Sequence, residues 1–330
     1  MYILFGGGPL LLEFVKRLKK KGLPVFVVTS ERHANESVAS GENVMSFRDA
    51  LEKEKIDYIV TVDINTERVI KKGITSETLG MSFGAAWIFR KSFISRFNGR
   101  LINAHGTRLP MDRGGGGFSW RIMRGDRKGC SLLHLVDAGI DTGNIVRRKE
   151  YTFPASCRVP KDYFVYSISR DLAFLDKFVE DVQAGRAFKV IRQDESKSIY
   201  WPRLATKIHG YIDWNWARRD VEGFICAFDD PYDGAITFLA DKKVRVKKCV
   251  PVRDGPFHPF QNGLVYRVAK GKIFVAMKEG GLAVGNVTDE EGENITGRIN
   301  LGDRLHTPIS FCEKAKQFRA VYTPLGIKNK

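Results

Sequence analysis

Apolar positions near the N-terminus change their spacing three times within thirty residues, and that rhythm outlines the first elements. Tyr2–Phe5 is a continuous apolar run that Gly6-Gly7-Gly8-Pro9 interrupts. Leu11, Phe14, Val15 and Leu18 then recur at helical spacing, and Pro24–Val28 returns to a β-branched run. Strand, helix and strand in so few residues imply a parallel pair joined by a right-handed crossover. Ile56–Val62 and Gly99–Ala104 read as further strands, Phe118–Arg124 as a helix, Ser131–Val136 as a strand and Val165–Ala184 as a long helix. The alternation predicts an α/β fold on a mostly parallel sheet.

Beyond about Trp201 the texture changes. Arg218–Phe228 suggests one more helix, and Asp229-Asp230-Pro231-Tyr232-Asp233-Gly234 is a strong turn signal. Short strands follow at Ala235–Leu239, Val244–Val250, Gly263–Val268, Ile273–Ala276 and Gly281–Val287. Spacing of this kind predicts a small β-barrel or β-sandwich. The boundary is placed near residue 205, giving units of 1–205 and 206–330.

Composition narrows the class. With 43% hydrophobic and 28% charged residues, the 330-residue chain has ample material for buried cores. It contains no apolar run of membrane-spanning length, and its N-terminus enters a strand without a charged leader. Five scattered cysteines, without a CxxC pair, argue for reduced thiols and against zinc. The expectation is a cytoplasmic protein with no membrane association and no metal. Lys and Arg outnumber Asp and Glu by 54 to 38, a net charge of +16, which favours anionic partners. The excess is dispersed rather than gathered in one tract.

Three residues stand out as candidate chemistry. Leu101-Ile-Asn-Ala-His105 is an apolar strand whose alternation points Asn103 and His105 to one face. In open α/β sheets ligands bind beyond the carboxyl ends of the strands, where this pair would sit. Asp141 lies in a loop between Gly139 and Gly143, and Arg113-Gly-Gly-Gly-Gly-Phe-Ser-Trp120 leads from a loop into a helix. An amide, an imidazole and a carboxylate suit acyl transfer to an amine: one stabilises an oxyanion, one exchanges protons, one orients water or imidazole. The Gly6 loop supplies only two glycines of a dinucleotide fingerprint, because its third position is Leu11. It reads as a tight turn.

Asn103-x-His105, Leu109-Pro110, Arg113-Gly114, the Trp120 helix and Val136-Asp-Ala-Gly-Ile-Asp141-Thr-Gly-Asn-Ile-Val strongly resemble the 10-formyltetrahydrofolate-dependent formyltransferases. The match covers about residues 80–150. It implies a Rossmann-like catalytic domain, with Asn103, His105 and Asp141 as catalytic residues and 10-formyltetrahydrofolate as cosubstrate. By the same resemblance the pterin sits between Trp87-Ile88-Phe89 and Ala138-Gly139-Ile140. Tyr200-Trp-Pro-Arg203, Ile212-Asp-Trp214 and Pro231-Tyr-Asp-Gly-Ala235 look like the family's connection into a small C-terminal β-barrel domain.

Which amine accepts the formyl group is less constrained. The family's tRNA enzymes carry a basic insertion after the second strand, whereas Thr29-Ser-Glu-Arg-His-Ala-Asn-Glu36 is short and mixed in charge. Arg108 and Arg113 would suit a diphosphate, and with Trp120 they are the candidate acceptor-binding residues. These features favour a nucleotide-linked amino sugar. The net charge and the cationic strand Val244-Arg-Val-Lys-Lys248 favour the alternative, methionyl initiator tRNA. A non-catalytic nucleic-acid binder and a nicotinamide oxidoreductase are the readings from other classes. Phe311 and Phe318, in the tail from His306 onward, are expected to pack on the barrel or on a neighbouring subunit, which leaves a homodimer open.

Overall fold

The computed structural model describes residues 1–40, 43–67, 73–115 and 117–327. Seven strands form its larger sheet: β1 (Tyr2–Gly6), β2 (Val25–Thr29), β3 (Tyr58–Val60), β4 (Leu79–Phe83), β5 (Leu101–His105), β6 (Lys128–Leu135) and β7 (Ile145–Thr152). Their spatial order is β7-β6-β5-β4-β1-β2-β3. The first five run parallel to their neighbours, while β6 and β7 are added antiparallel at one edge. The expected α/β architecture is therefore present.

Burial on both faces explains why the central strands read as unbroken apolar runs. On one face, α1 (Pro9–Lys20) packs Leu11, Phe14, Val15 and Leu18 against Leu4, Val27 and Met81. On the other, Phe5 meets the rings of Phe89, Phe93 and Phe97 at 5.4–6.0 Å. The Gly6 loop is a tight turn between β1 and α1: a Cβ on Gly6 would lie 2.2 Å from the Phe83 carbonyl oxygen, and Gly8 has φ +86°. The long helix α3 (Pro160–Gln183) follows α2 (Gly117–Met123). It starts five residues earlier than the periodicity suggests, because Asp162 Oδ2 accepts the Val159 N–H and Pro160 fits the first turn.

Two strands carry no clear periodic signal. In β4, Leu79-Gly-Met-Ser-Phe83, a Cβ on Gly80 would meet Leu101 and Phe97 at 2.6 Å, so the small residues make room for a neighbouring ring. In β7 the run Arg147-Arg-Lys-Glu150 is polar because only one edge of that strand is paired.

The C-terminal part begins with α4 (Arg218–Ala227) and continues as a six-stranded antiparallel sheet. Its strands are β8 (Ala235–Leu239), β9 (Lys242–Val252), β10 (Val265–Ala269), β11 (Lys272–Met277), β12 (Gly280–Thr288) and β13 (Leu305–His306), ordered β10-β11-β12-β9-β8-β13. The sheet curls until its outer edges exchange backbone hydrogen bonds, Val265 N to Asp303 O at 2.8 Å and Leu305 N to Gly263 O at 2.9 Å. Of the two architectures open at the level of spacing, the barrel is the one formed.

This barrel does not own its core. Ile122, Phe153, Cys157 and Tyr163 belong to the same buried cluster as Val244, Val246, Val275 and Val284. After α5 (Ile309–Gln317) the chain returns to the first sheet, where Tyr322 lies under the guanidinium groups of Arg32 and Arg203. Phe311 packs on Tyr211 and Phe238, and Phe318 on His209, so both tail aromatics contact the same chain. All five cysteines are buried free thiols. No described helix is long and apolar enough to cross a membrane.

Candidate active site

Asn103 and His105 end β5 at the carboxyl edge of the sheet, as the alternation requires. The antiparallel partner β6 sets His134 directly opposite Asn103. Asp141 comes from the loop after β6, with φ +55°. That loop is folded on itself, since Asp137 Oδ1 accepts hydrogen bonds from Gly139 N at 3.1 Å and Thr142 Oγ1 at 2.6 Å. It is also gripped from outside: Gln193 Nε2 donates to the carbonyls of Asp141 at 2.8 Å and Gly143 at 2.7 Å.

The structure thus brings the three sequence-nominated residues together and adds a fourth. Asn103 Nδ2 donates to His134 Nε2 at 3.0 Å and, more weakly, to Asp141 Oδ1 at 3.5 Å. His105 Nδ1 is 3.8 Å and His134 Nε2 3.5 Å from the same carboxylate oxygen. The other oxygen, Oδ2, accepts the Gly114 N–H at 2.9 Å. His134 Nδ1 is 2.8 Å from the Leu135 carbonyl, and His105 Nε2 is 3.0 Å from that of Asp112. A carbonyl can only accept, so each contacting nitrogen carries a proton. His105 therefore turns an unprotonated Nδ1 towards Asp141.

Electrostatics agree with that assignment. Burial lowers the His105 pKa, outweighing the opposing pull of Asp141, so the ring is neutral. For Asp141 burial alone would raise the carboxyl. Attraction to the two imidazoles in their protonated form and the Gly114 N–H outweigh it and hold the group below the usual carboxylate range. With both rings neutral, the Gly114 N–H is the one of these contacts that remains. The Asp112 carboxylate is itself fixed by Arg108 at 3.2 Å, Arg121 at 3.6 Å and Arg124 at 3.0 Å. Three cations thereby steady the loop whose carbonyl orients His105.

A cavity lies on each side of His105. The smaller, about 210 Å³, is lined by Gly84, Ile88, Asn103, Gly139, Ile140 and Asp141 among others. The nominated segments meet here, although Trp87 and Phe89 turn their rings into the protein: the Trp87 indole donates to Val62 O at 3.0 Å, and Phe89 packs on Phe5. Ala138 lies in the connecting loop without lining the cavity. The larger cavity, about 360 Å³, runs from His105 past Trp120, Arg124, Trp201 and Arg203.

Of the nominated acceptor-side residues, Arg113 is committed within the protein, to Gln193, Glu195 and Ser198 at 2.6–3.2 Å. Arg108 is held by Asp112 and Asp126. Trp120 donates its indole N–H to Pro202 O at 2.7 Å while its ring faces Trp201. Besides Arg113, the cations that border the larger cavity are Arg124, stacked 4.1 Å over Trp201 and paired with Asp112, and Arg203. His134, Gln193, Arg124 and Arg203 were not singled out by the sequence. His134 shares a face of β6 with Leu132, but only the β5–β6 pairing reveals what it meets. His105, His134 and Asp141 also offer ligand atoms within 4.8 Å of one another, a spacing that one cation could bridge. Both His134 nitrogens are already engaged in hydrogen bonds.

Residues 2–156 match the family described as formyl transferase, and residues 205–302 match its C-terminal domain. A methionyl-tRNA formyltransferase from Ruminiclostridium cellulolyticum is 29% identical over 211 residues, 62% of this chain and 65% of that protein. One from Clostridium novyi is 27% identical over 183 residues, 56% and 57% of the two chains. The chain thus spans somewhat under two thirds of these curated relatives. Among solved structures, the N-formyltransferase from Helicobacter canadensis in complex with folinic acid and dTDP-3-aminofucose has a TM-score of 0.66 at 14% identity, covering 86% of this chain and 97% of that one. The sugar 3N-formyltransferase WlaRD, with dTDP and 5-N-formyl-THF, has a TM-score of 0.64 at 15% identity, covering 86% and 96%. At such identities the likeness is one of fold. With both of its parts matched, the chain belongs to the formyl transferase family.

Proposed function

We propose that the protein transfers a formyl group from 10-formyltetrahydrofolate to the primary amine of a nucleotide-linked amino sugar. One observation carries the reading: a neutral imidazole, an amide and an ionised carboxylate converge at the sheet edge between two cavities, so a donor and an acceptor can meet at His105. The smaller cavity, where the segments nominated for the pterin meet, takes the pterin end of the folate; two structures of the same fold carry folinic acid or 5-N-formyl-THF. The acceptor enters through the larger one.

The amine attacks the formyl carbon, and the carbonyl oxygen becomes an oxyanion. The Asn103 N–H, only loosely held by Asp141 at 3.5 Å, is free to turn to that oxygen. His105 accepts the ammonium proton at Nδ1, and the imidazolium so formed faces the Asp141 carboxylate. At 3.8 Å the pair is close enough for the carboxylate to stabilise the imidazolium charge without a direct hydrogen bond. Collapse of the tetrahedral centre breaks the bond to the folate nitrogen, which takes the proton back from His105. The products are the formamide and tetrahydrofolate.

A sugar is favoured over tRNA because three of the cations on the candidate RNA face are engaged. Lys247 pairs with Asp230 at 2.6 Å, Lys243 with Glu290 at 3.0 Å, and Arg245 donates to the Asp289 and Glu290 carbonyls. In the segment after β2, Arg32 pairs with Glu36 and Glu31 with Arg48. The second reading, methionyl-tRNA formylation, draws support from the curated relatives and the net charge of +16. We place catalysis in residues 1–205, the barrel in 206–330 and the reaction in the cytoplasm. The test is tetrahydrofolate release with 10-formyltetrahydrofolate and either dTDP-3-aminofucose or charged initiator tRNA, in wild type and His105→Ala. Turnover of the sugar that the variant loses supports the proposal. Turnover of tRNA alone replaces the acceptor, and no folate binding overturns the function.

A further inference from the structure

The larger cavity contains a buried carboxyl that the transfer chemistry leaves unused. Asp171, on α3, lines that cavity together with His105 and is only 9% exposed. Its Oδ1 accepts the Ser131 hydroxyl from β6. No other hydrogen bond reaches this carboxylate among the described residues, which leaves Oδ2 to the cavity. Burial lifts the group to about 6, the expected state of a carboxyl short of partners. Nearby on β7, the Tyr151 hydroxyl is also buried without a partner, and the Asp171 charge is among the causes that raise its pKa.

These groups lie close to the reacting centre. His105 is paired with Leu132, and Ser131 is the next residue on that strand. The two backbones are therefore roughly 6 Å apart. Strand alternation turns the Ser131 side chain, and Asp171 with it, to the sheet face opposite the His105 ring, so an acceptor spans the two around the end of β5. The cavity is also polarised, with Arg124 and Arg203 at its more exposed end and Asp171 in its interior.

We propose that Asp171, with Ser131, forms an acceptor subsite for a hydrogen-bond-donating group, a ring hydroxyl or an ammonium, on the side of the acceptor away from the formylated amine. The inference rests on the transfer reading above and sharpens its substrate class. A nucleotide-linked amino sugar satisfies both ends, its phosphates facing the arginines and a ring hydroxyl facing Asp171. A methionyl side chain has no donor and would leave the carboxyl unpaired, and sites built to hydrogen-bond a substrate discriminate strongly against analogues without that group.

Titration calorimetry with dTDP-3-aminofucose and with D-glucosamine, each in the presence of tetrahydrofolate, tests the subsite in wild type, Asp171→Leu, Asp171→Asn and Ser131→Ala. Asp171→Leu should weaken amine binding at least tenfold and Asp171→Asn, which keeps an acceptor oxygen, less. Tetrahydrofolate affinity should be unchanged in both. If Asp171→Leu does not fold, Asp171→Asn and Ser131→Ala carry the same comparison. Equal amine affinity in wild type and variants overturns the subsite and leaves formyl transfer standing. Failure of both amines to bind a wild type that binds tetrahydrofolate also overturns it. Failure to bind tetrahydrofolate removes the proposed function itself.

Discussion

At the residue scale, His105 keeps its proton on Nε2 because the Asp112 carbonyl takes it, and burial keeps the ring neutral. A base of this kind is active once deprotonated, so the acid limb of kcat/KM should have its midpoint below the usual 6.5. Activity holding at pH values where an ordinary histidine is charged would support that state; a midpoint at or above 6.5 would refute it. Asn103→Ala should lower kcat by about 100- to 1000-fold, the range for loss of one oxyanion donor, with little change in folate affinity. Asp171 makes a prediction about stability. Its carboxyl is raised to about 6, so the folded chain binds that proton more tightly than the unfolded one. Stability then falls as pH rises from about 4 towards 6, and the penalty is complete above that. Replacement by Asn should therefore stabilise the protein increasingly over this window and by a constant amount above it, on the order of 2 kcal/mol. Thermal melts at pH 4.5, 6 and 8 decide the matter. Asn103, His105 and Asp141 were legible because strand alternation and flanking glycines mark them and the resemblance to the formyltransferases names them together. His134 and Asp171 were not, since each matters only through a partner on another strand or helix.

Elements explain how these residues are held. The loop carrying Asp141 closes so tightly that a Cβ on Gly143 would lie 1.7 Å from the Leu135 carbonyl oxygen. Gly143→Ala should consequently depress turnover and melting temperature together, whereas Gly106→Ala, where a Cβ meets open space, should spare the fold. Comparable melting temperatures for both variants would show that the loop is less constrained than its geometry implies. Five of the six barrel strands were readable to within two residues, because alternation in a sheet buried on one face is a direct record of the fold, whereas the two-residue β13 is too short to show any alternation. The strands β4 and β7 were not: one is dominated by a neighbour's ring and the other lies at an edge, and neither circumstance is local.

For the whole molecule, the shared cluster joining Ile122, Phe153 and Tyr163 to the barrel valines predicts a single unfolding transition in calorimetry. Two separated transitions would show that each part stabilises itself. A fragment ending before α4 would expose that cluster and lose the Ser119–Ala227 hydrogen bond. Its expected fate is aggregation rather than residual activity. The Gln193 clamp reaches further than stability. Residues 157–204 lie between the two matched stretches, yet they supply Gln193 beneath Asp141, the Arg113 partners Glu195 and Ser198, and Asp171, Trp201 and Arg203 around the larger cavity. On the proposed function, the donor side lies within residues 2–156, while the acceptor side draws part of its lining from the intervening segment. A lineage can then diversify its acceptors by drift in the intervening segment while the formyl-transfer chemistry stays under separate selection, provided that contacts such as Gln193 to Asp141 and Glu195 to Arg113 are kept.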